Sequence, residues 1–163
     1  MVQANDFRQA MRRLAAGVSI ITTWEHGVPH GFVATAVSSV AAEPNPTLLI
    51  CVNRSAHSHD VIHRTSIFCV NVLSDADVET AHRFSSPHLR ESRFAEQAWA
   101  TLATGAPALA SALASFDCKV MAAMAVHSHT VFIGEVQHIS VRESETAPLL
   151  YFNGRYEALP AAR

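Results

Sequence analysis

The chain is short of the residues that mark several common classes of protein. It has three cysteines in 163 residues, Cys51, Cys69 and Cys118, an odd number with no Cys-x-x-Cys spacing. Each lies in an apolar, strand-like stretch, so all three read as reduced, buried small hydrophobes rather than a disulfide framework or a zinc site. Charge is sparse and nearly balanced, with a formal net charge of −2. That argues against a nucleic-acid partner, which calls for a basic face. No apolar run reaches the ~18 residues of a membrane span. The first residues, MVQANDFRQAMRRLAAG, lack the apolar core of a secretory leader, and a cytoplasmic location is expected. Only six glycines are present, and none forms a Gly-rich turn after a first strand. With no βαβ alternation either, a Rossmann-type nicotinamide site is excluded. Paired carboxylates and nucleophile–base motifs are also missing.

What is there is apolar: 49% of residues are hydrophobic. A chain of this length forms one domain, residues 1–163, and buries roughly 70% of its unfolded surface. The hydrophobic surplus suits a subunit interface. Residues 5–15 predict a helix, with Phe7, Ala10, Met11 and Leu14 at helical spacing and Gly17 as its stop. Strands are expected at 18–24, 30–37, 47–52, 67–73, 113–126, 130–141, 149–152 and 156–159, with an edge strand at 99–102. Short helices are expected at 58–64 and 75–84, the second with Ser74 as N-cap. Glu43-Pro44-Asn45-Pro46 breaks the chain, and 85–93 reads as a polar loop. Six to eight strands on short connections, with two or three helices, favour a mainly β, antiparallel barrel.

Candidate binding residues follow from chemistry. Thr35, Ala36, Val37, Ser38 and Ser39 are small and hydroxyl-bearing, so a flat heteroaromatic ring can lie close to their backbone. Arg54, Ser55, His57 and Ser58, supplemented by Arg93, are the densest set of donors for a phosphate; the plainer reading of this stretch is a polar turn entering a helix. Asn71 in an apolar strand needs partners, from a ligand or a neighbouring backbone. His129 is a ligand contact or a turn residue, and Tyr156 lines a site or packs an interface. Trp24 and Trp99 read as core or interface aromatics. The spaced histidines His57-x-His59-x3-His63 and His127-x-His129 lack a carboxylate or cysteine at ligand spacing, so no metal site is expected. His59, His63, His82 and His88 read as surface residues.

Seven segments, in order, carry a family resemblance: FRQAMRRLAAGVSIITT, GFVATAVSSV, TLLICVNRSA, FCVNVL, SRF at 92–94, FDCKV at 116–120, and PLLYFNGRYEAL. Together they resemble the short-chain flavin reductases, and within them most the reductase partners of 4-hydroxyphenylacetate 3-monooxygenase and of the pyrimidine-utilisation monooxygenase. The resemblance implies an FMN-binding split β-barrel, a homodimer with flavin sites near the subunit interface, and hydride transfer from NADH (NADPH possible) to FMN or FAD. It implies a flavin-dependent monooxygenase as partner. By the same matching, Thr35 to Ser39 line the flavin ring, and Asn53, Arg54 and Ser55 approach its tail. Asn71 lies in the matching strand, Phe84 and Arg93 lie near the tail, His129 lies near the nicotinamide, and Tyr156 lies beside the site. No obligatory catalytic residue is implied. Three positions depart from the family pattern: Ser55-Ala56-His57 replaces Ser-x-Ser/Thr, His127-Ser128-His129 replaces a Gly-Asp-His type triplet, and Pro44-Asn45-Pro46 replaces a Pro-Pro turn. The rival expectations are a flavin-binding or electron-carrying module of the same fold without turnover, and a split barrel for haem or a pyridoxal-type cofactor.

Overall fold

The computed structural model describes residues 1–143 and 146–159. Its central feature is a seven-stranded antiparallel sheet. In chain order the strands are β2 (Ser19–Glu25), β3 (Val28–Ala34), β4 (Val37–Ala41), β5 (Thr47–Asn53), β6 (Ile67–Val72), β9 (Ala114–Val126) and β10 (His129–Val141). They lie side by side as β3-β2-β6-β9-β10-β5-β4. The outermost strands, β3 and β4, are therefore consecutive in the chain, separated only by Thr35 and Ala36. Three Cα steps reach at most about 11 Å, so the sheet must curl until its two edges nearly meet. The result is a barrel split along one seam, as the fold class expected from the sequence requires.

Three smaller pieces complete the fold. β1 (Ala16–Gly17), β11 (Leu149–Phe152) and β12 (Arg155–Ala158) form a three-stranded sheet, and β7 (Trp99–Thr101) pairs with β8 (Pro107–Leu109). The helices are α1 (Ala4–Met11), α2 (His57–Thr65) and α3 (Val78–Ser85). Residues 75–77 and 87–92 form 3₁₀ turns. No helix among the described residues is long and apolar enough to cross a membrane.

β2 divides the interior into two cores. Adjacent strand residues point to opposite faces, so Ile21 joins Ile50, Val52, Phe68, Val70 and Phe132 inside the barrel. Its neighbour Ile20 joins Val18, Leu73, Ala81, Phe84 and Leu149 beneath α3 and the C-terminal hairpin. The barrel core is packed to contact. A Cβ on Gly134 would lie 2.5 Å from Phe68 Cζ and 3.0 Å from Cys118 Cβ. Only the bare backbone of β10 leaves space for the Phe68 ring.

Several expectations need correction. The first helix ends at Met11 rather than residue 15, because Ala16 and Gly17 are drawn into register with Tyr151 and Leu150. The strand expected over 30–37 stops at Ala34, and Val37 opens a separate strand on the far side of the seam. β8 was not anticipated, and the loop expected at 85–93 winds into a 3₁₀ turn with Pro87 at its start.

Candidate functional site

The NRSAHS stretch folds into a prebuilt turn. Asn53 Oδ1 accepts hydrogen bonds from the Ser55 N–H and the Ser55 hydroxyl, both at 2.9 Å. This local turn fixes the chain as it leaves β5 and enters α2. Ala56 occupies the N-cap of α2 without a side-chain cap, so N–H groups of the first helical turn remain for another acceptor. Asn53 thus shapes the loop, while Ser55, His57 and Ser58 border a cavity of about 320 Å³.

Arg93 forms the opposite wall of that cavity. It follows the 3₁₀ turn, and its guanidinium reaches back to donate to the Gly31 carbonyl at 2.7 Å and the Ser86 carbonyl at 3.0 Å. Its Cζ stands 5.8 Å from the centroid of the buried Phe84 ring, which forms the floor. Arg90 lies on the same wall, and no carboxylate lines the cavity. Neither arginine is ion-paired among the described residues. Burial, and secondarily the charge of Arg90, push the Arg93 guanidinium below its usual pKa. Arg93 Nε is buried with no partner. Beside them His30 packs tilted against His57 with centroids 5.2 Å apart and is held below the usual histidine range, first by burial and then by His57. A concavity with two guanidiniums, a free helix start and no acid is built for an anion. A phosphate tail fits this donor set.

The other expected residues are distributed as follows. Arg54 is exposed, and its backbone N–H donates to the Ser128 carbonyl. That bond ties the turn to the start of β10, where His129 pairs in register with Asn53. His129 is exposed, with Nδ1 2.9 Å from the Ser128 hydroxyl. It therefore sits at the rim beside the Asn53–Ser58 turn. Tyr156 packs edge-on against His82 at 4.9 Å. Burial raises its pKa while a hydrogen bond from Ser85, a cavity residue, opposes that shift.

The segment Thr35–Ser39 is divided by the seam rather than gathered in one lining. Thr35 and Ala36 border a hollow of about 530 Å³ with Phe7, Met11, Leu14 and Tyr151. Val37, Ser38 and Ser39 border another of about 280 Å³ with Leu48, Phe116 and Ile139. Asn71 is corrected outright. It is fully buried, its amide donates to the Ile20 carbonyl at 3.1 Å, and its Oδ1 accepts from the Leu109 N–H at 2.7 Å and the Ser115 hydroxyl at 2.9 Å. Its partners come from the protein, joining β2, β6, β9 and β8. His59, expected at the surface, is instead 6% exposed. Its ring bridges Asp60 Oδ1 at 2.7 Å and Thr130 Oγ1 at 2.9 Å, clamping α2 to β10 directly behind His129. Sequence reasoning missed Arg90, which looked like one charge in a polar loop, and Phe32 and Val33 of β3, which also line the cavity.

Comparison with known proteins bears on the same region. The model of the flavin reductase like domain family matches residues 11–160. An FMN reductase (NADH) RutF of Stutzerimonas stutzeri (strain A1501) is 41% identical over 157 residues, covering 96% of this chain and 89% of its own. The crystal structure of a candidate flavin reductase from Haemophilus somnus 129PT superposes with a TM-score of 0.92 at 35% identity, covering 97% of this chain and 100% of that one. The styrene monooxygenase flavin reductase SMOB of Pseudomonas putida S12 superposes with a TM-score of 0.86 at 29% identity, covering 97% and 99%. With the split barrel already described, these similarities establish that the chain belongs to the flavin reductase like family.

Proposed function

We propose that this protein is an NADH-dependent reductase of FMN or FAD that hands reduced flavin to a separate monooxygenase. The carrying observation is the acid-free cavity of Arg93, Arg90, Ser55 and Ser58 over Phe84. It supplies cationic and neutral donors for the phosphate that distinguishes a flavin nucleotide from the bare ring system. Bound there, the flavin supplies the hydride-accepting chemistry. The chain's own task is placement. Arg93 and the start of α2 hold the tail, and Phe84 offers an apolar floor. Of the seam residues, Thr35 and Ala36 border one hollow and Val37, Ser38 and Ser39 another, and the small side chains of either set suit the edge of a planar ring. His129, beside the Asn53–Ser58 turn and in hydrogen-bond contact with Ser128, would position the nicotinamide. No residue need take or give a proton at an obligatory step.

Two finer parts of the reading have their own support. NADH is favoured because the curated relative above is an FMN reductase (NADH), and a monooxygenase partner because SMOB is the flavin reductase of styrene monooxygenase. A homodimer is supported by an exposed apolar tract. On the β9–β10 hairpin, Met121, Met124 and Val126 are exposed toward the turn and Ile139 and Val141 toward the open end, and α1 adds Phe7 with no buried residue of its own. Such a surface calls for a second copy of the chain.

The test is NADH oxidation by purified protein with FMN, FAD or riboflavin added in turn. Rapid flavin-dependent oxidation is expected. Tight flavin retention with no NADH or NADPH oxidation would instead identify a carrier or sensor.

A further inference from the structure

Next to the phosphate cavity lies a second hollow, of about 410 Å³, that the reading above leaves unused. Its walls are Trp24, Trp99, Phe94, Pro29 and Pro107. The two cavities flank a common small hollow. That hollow shares Arg90, Arg93 and Ser58 with one and Pro29 and Phe94 with the other. The aromatic floor is continuous: Phe84, Phe94 and Trp99 succeed one another with centroids 5.2 Å and 4.8 Å apart. Gly31, whose carbonyl holds Arg93, and Pro29 are two residues apart on β3, roughly 7 Å. A linker the length of a diphosphate spans that interval.

We propose that this cleft receives the adenine of FAD, with the diphosphate lying along Arg90 and Arg93. The inference rests on the flavin reading above. Two flat indoles and a phenyl ring suit a purine, which stacks on aromatic faces. Trp24 is 40% exposed, an uncommon position for an indole with no partner to cover it. Trp99 keeps its indole N–H buried without an acceptor. β7 pairs only with β8 among the described residues, so the outer edge of Trp99–Thr101 offers backbone groups to a polar ring edge. Two arginines in line, both free of carboxylates, match a linker that carries charge at two phosphates better than a single terminal phosphate. The two tryptophans packed here are thus a ligand surface as well as core.

The chain has two tryptophans in all, and both line the cleft, so intrinsic tryptophan emission reports on this hollow. Titration of the flavin-free protein with AMP should quench that emission saturably, ribose 5-phosphate should not, and FAD should displace AMP. Trp24→Ala, at an exposed position that spares the core, should raise the Kd for FAD about tenfold relative to the Kd for FMN, and Trp24→Phe should recover most of the loss. Absence of quenching by AMP, AMP that persists beside bound FAD, or equal changes for FMN and FAD would each overturn the assignment. Failure of the unmodified protein to reduce or bind either flavin would defeat the functional reading itself, and is seen separately in the NADH assay.

Discussion

Replacing Arg93 with methionine separates the phosphate from the rest of the flavin. Methionine keeps an unbranched apolar stem against Phe84 while removing the charge. A hydrogen bond to a charged group is worth about 1.5–3 kcal/mol, and the cavity holds no acid that would have offset the lost cation. Loss of about 2 kcal/mol raises a Kd roughly 30-fold. The variant also forfeits the bonds to the Gly31 and Ser86 carbonyls, at about 0.5–1.5 kcal/mol each, but it relieves the repulsion from Arg90. The fold should survive with a modestly lower melting point. Quenching of flavin fluorescence gives the affinities directly. FMN should weaken about 30-fold, while riboflavin, which has no phosphate, should stay within about twofold. Arg93→Lys should fall between, since it keeps the charge without the two-pronged geometry. Equal weakening of FMN and riboflavin would show that Arg93 only shapes the wall, and unchanged FMN binding would place the phosphate elsewhere.

Other perturbations probe the frame and the rim. Gly134→Ala drives a methyl group into the Phe68 ring and should cost about 1–3 kcal/mol; thermal unfolding should show a clear drop that Phe68→Leu in the same chain partly restores. His129→Ala should raise the KM for NADH several-fold with the Kd for FMN little changed, and a matching loss of flavin affinity would move that histidine to the flavin. Burial, reinforced by Asp117, pushes the Cys69 thiol far up and the Cys118 thiol up to about 12. Both therefore stay protonated in neutral buffer, and a thiol reagent should find at most Cys51 in the folded protein and all three cysteines after unfolding.

How far the sequence alone could lead depended on whether a signal was local. β5 and β6 are β-branched runs bounded by turns, and they stand within a residue or so of where the pattern put them. The seam was not legible. Nothing in Ala34-Thr35-Ala36-Val37 punctuates the chain as proline or glycine would, and only sheet closure makes Thr35 and Ala36 a junction. The donors of the NRSAHS turn were readable because their chemistry is dense and contiguous. Arg90 was not, since its role comes from a 3₁₀ turn that swings it toward a loop more than thirty residues earlier. Asn71 showed the reverse problem. An amide in an apolar strand announces that it has partners, and the sequence cannot say whether they are ligand or protein. His59 was hidden among neighbouring histidines, although its spacing to Ile62 on α2 was the available sign that it faces inward.

The seam has a mechanical consequence. No ladder of hydrogen bonds joins β3 to β4, yet two covalently linked residues do, and they sit at one end. The barrel wall therefore behaves as a collar fastened at Ala34 and Val37 and open toward Val28 and Ala41. It can widen like a wedge but cannot slide or part at the fastened end. A molecule pressing on Val33 from one side pulls, through two residues of nearly inextensible backbone, on Val37 and Ser38 at the other. The hollow of Thr35 and Ala36 and the hollow of Val37, Ser38 and Ser39 share that tether, and inserting two glycines between Thr35 and Ala36 would slacken it.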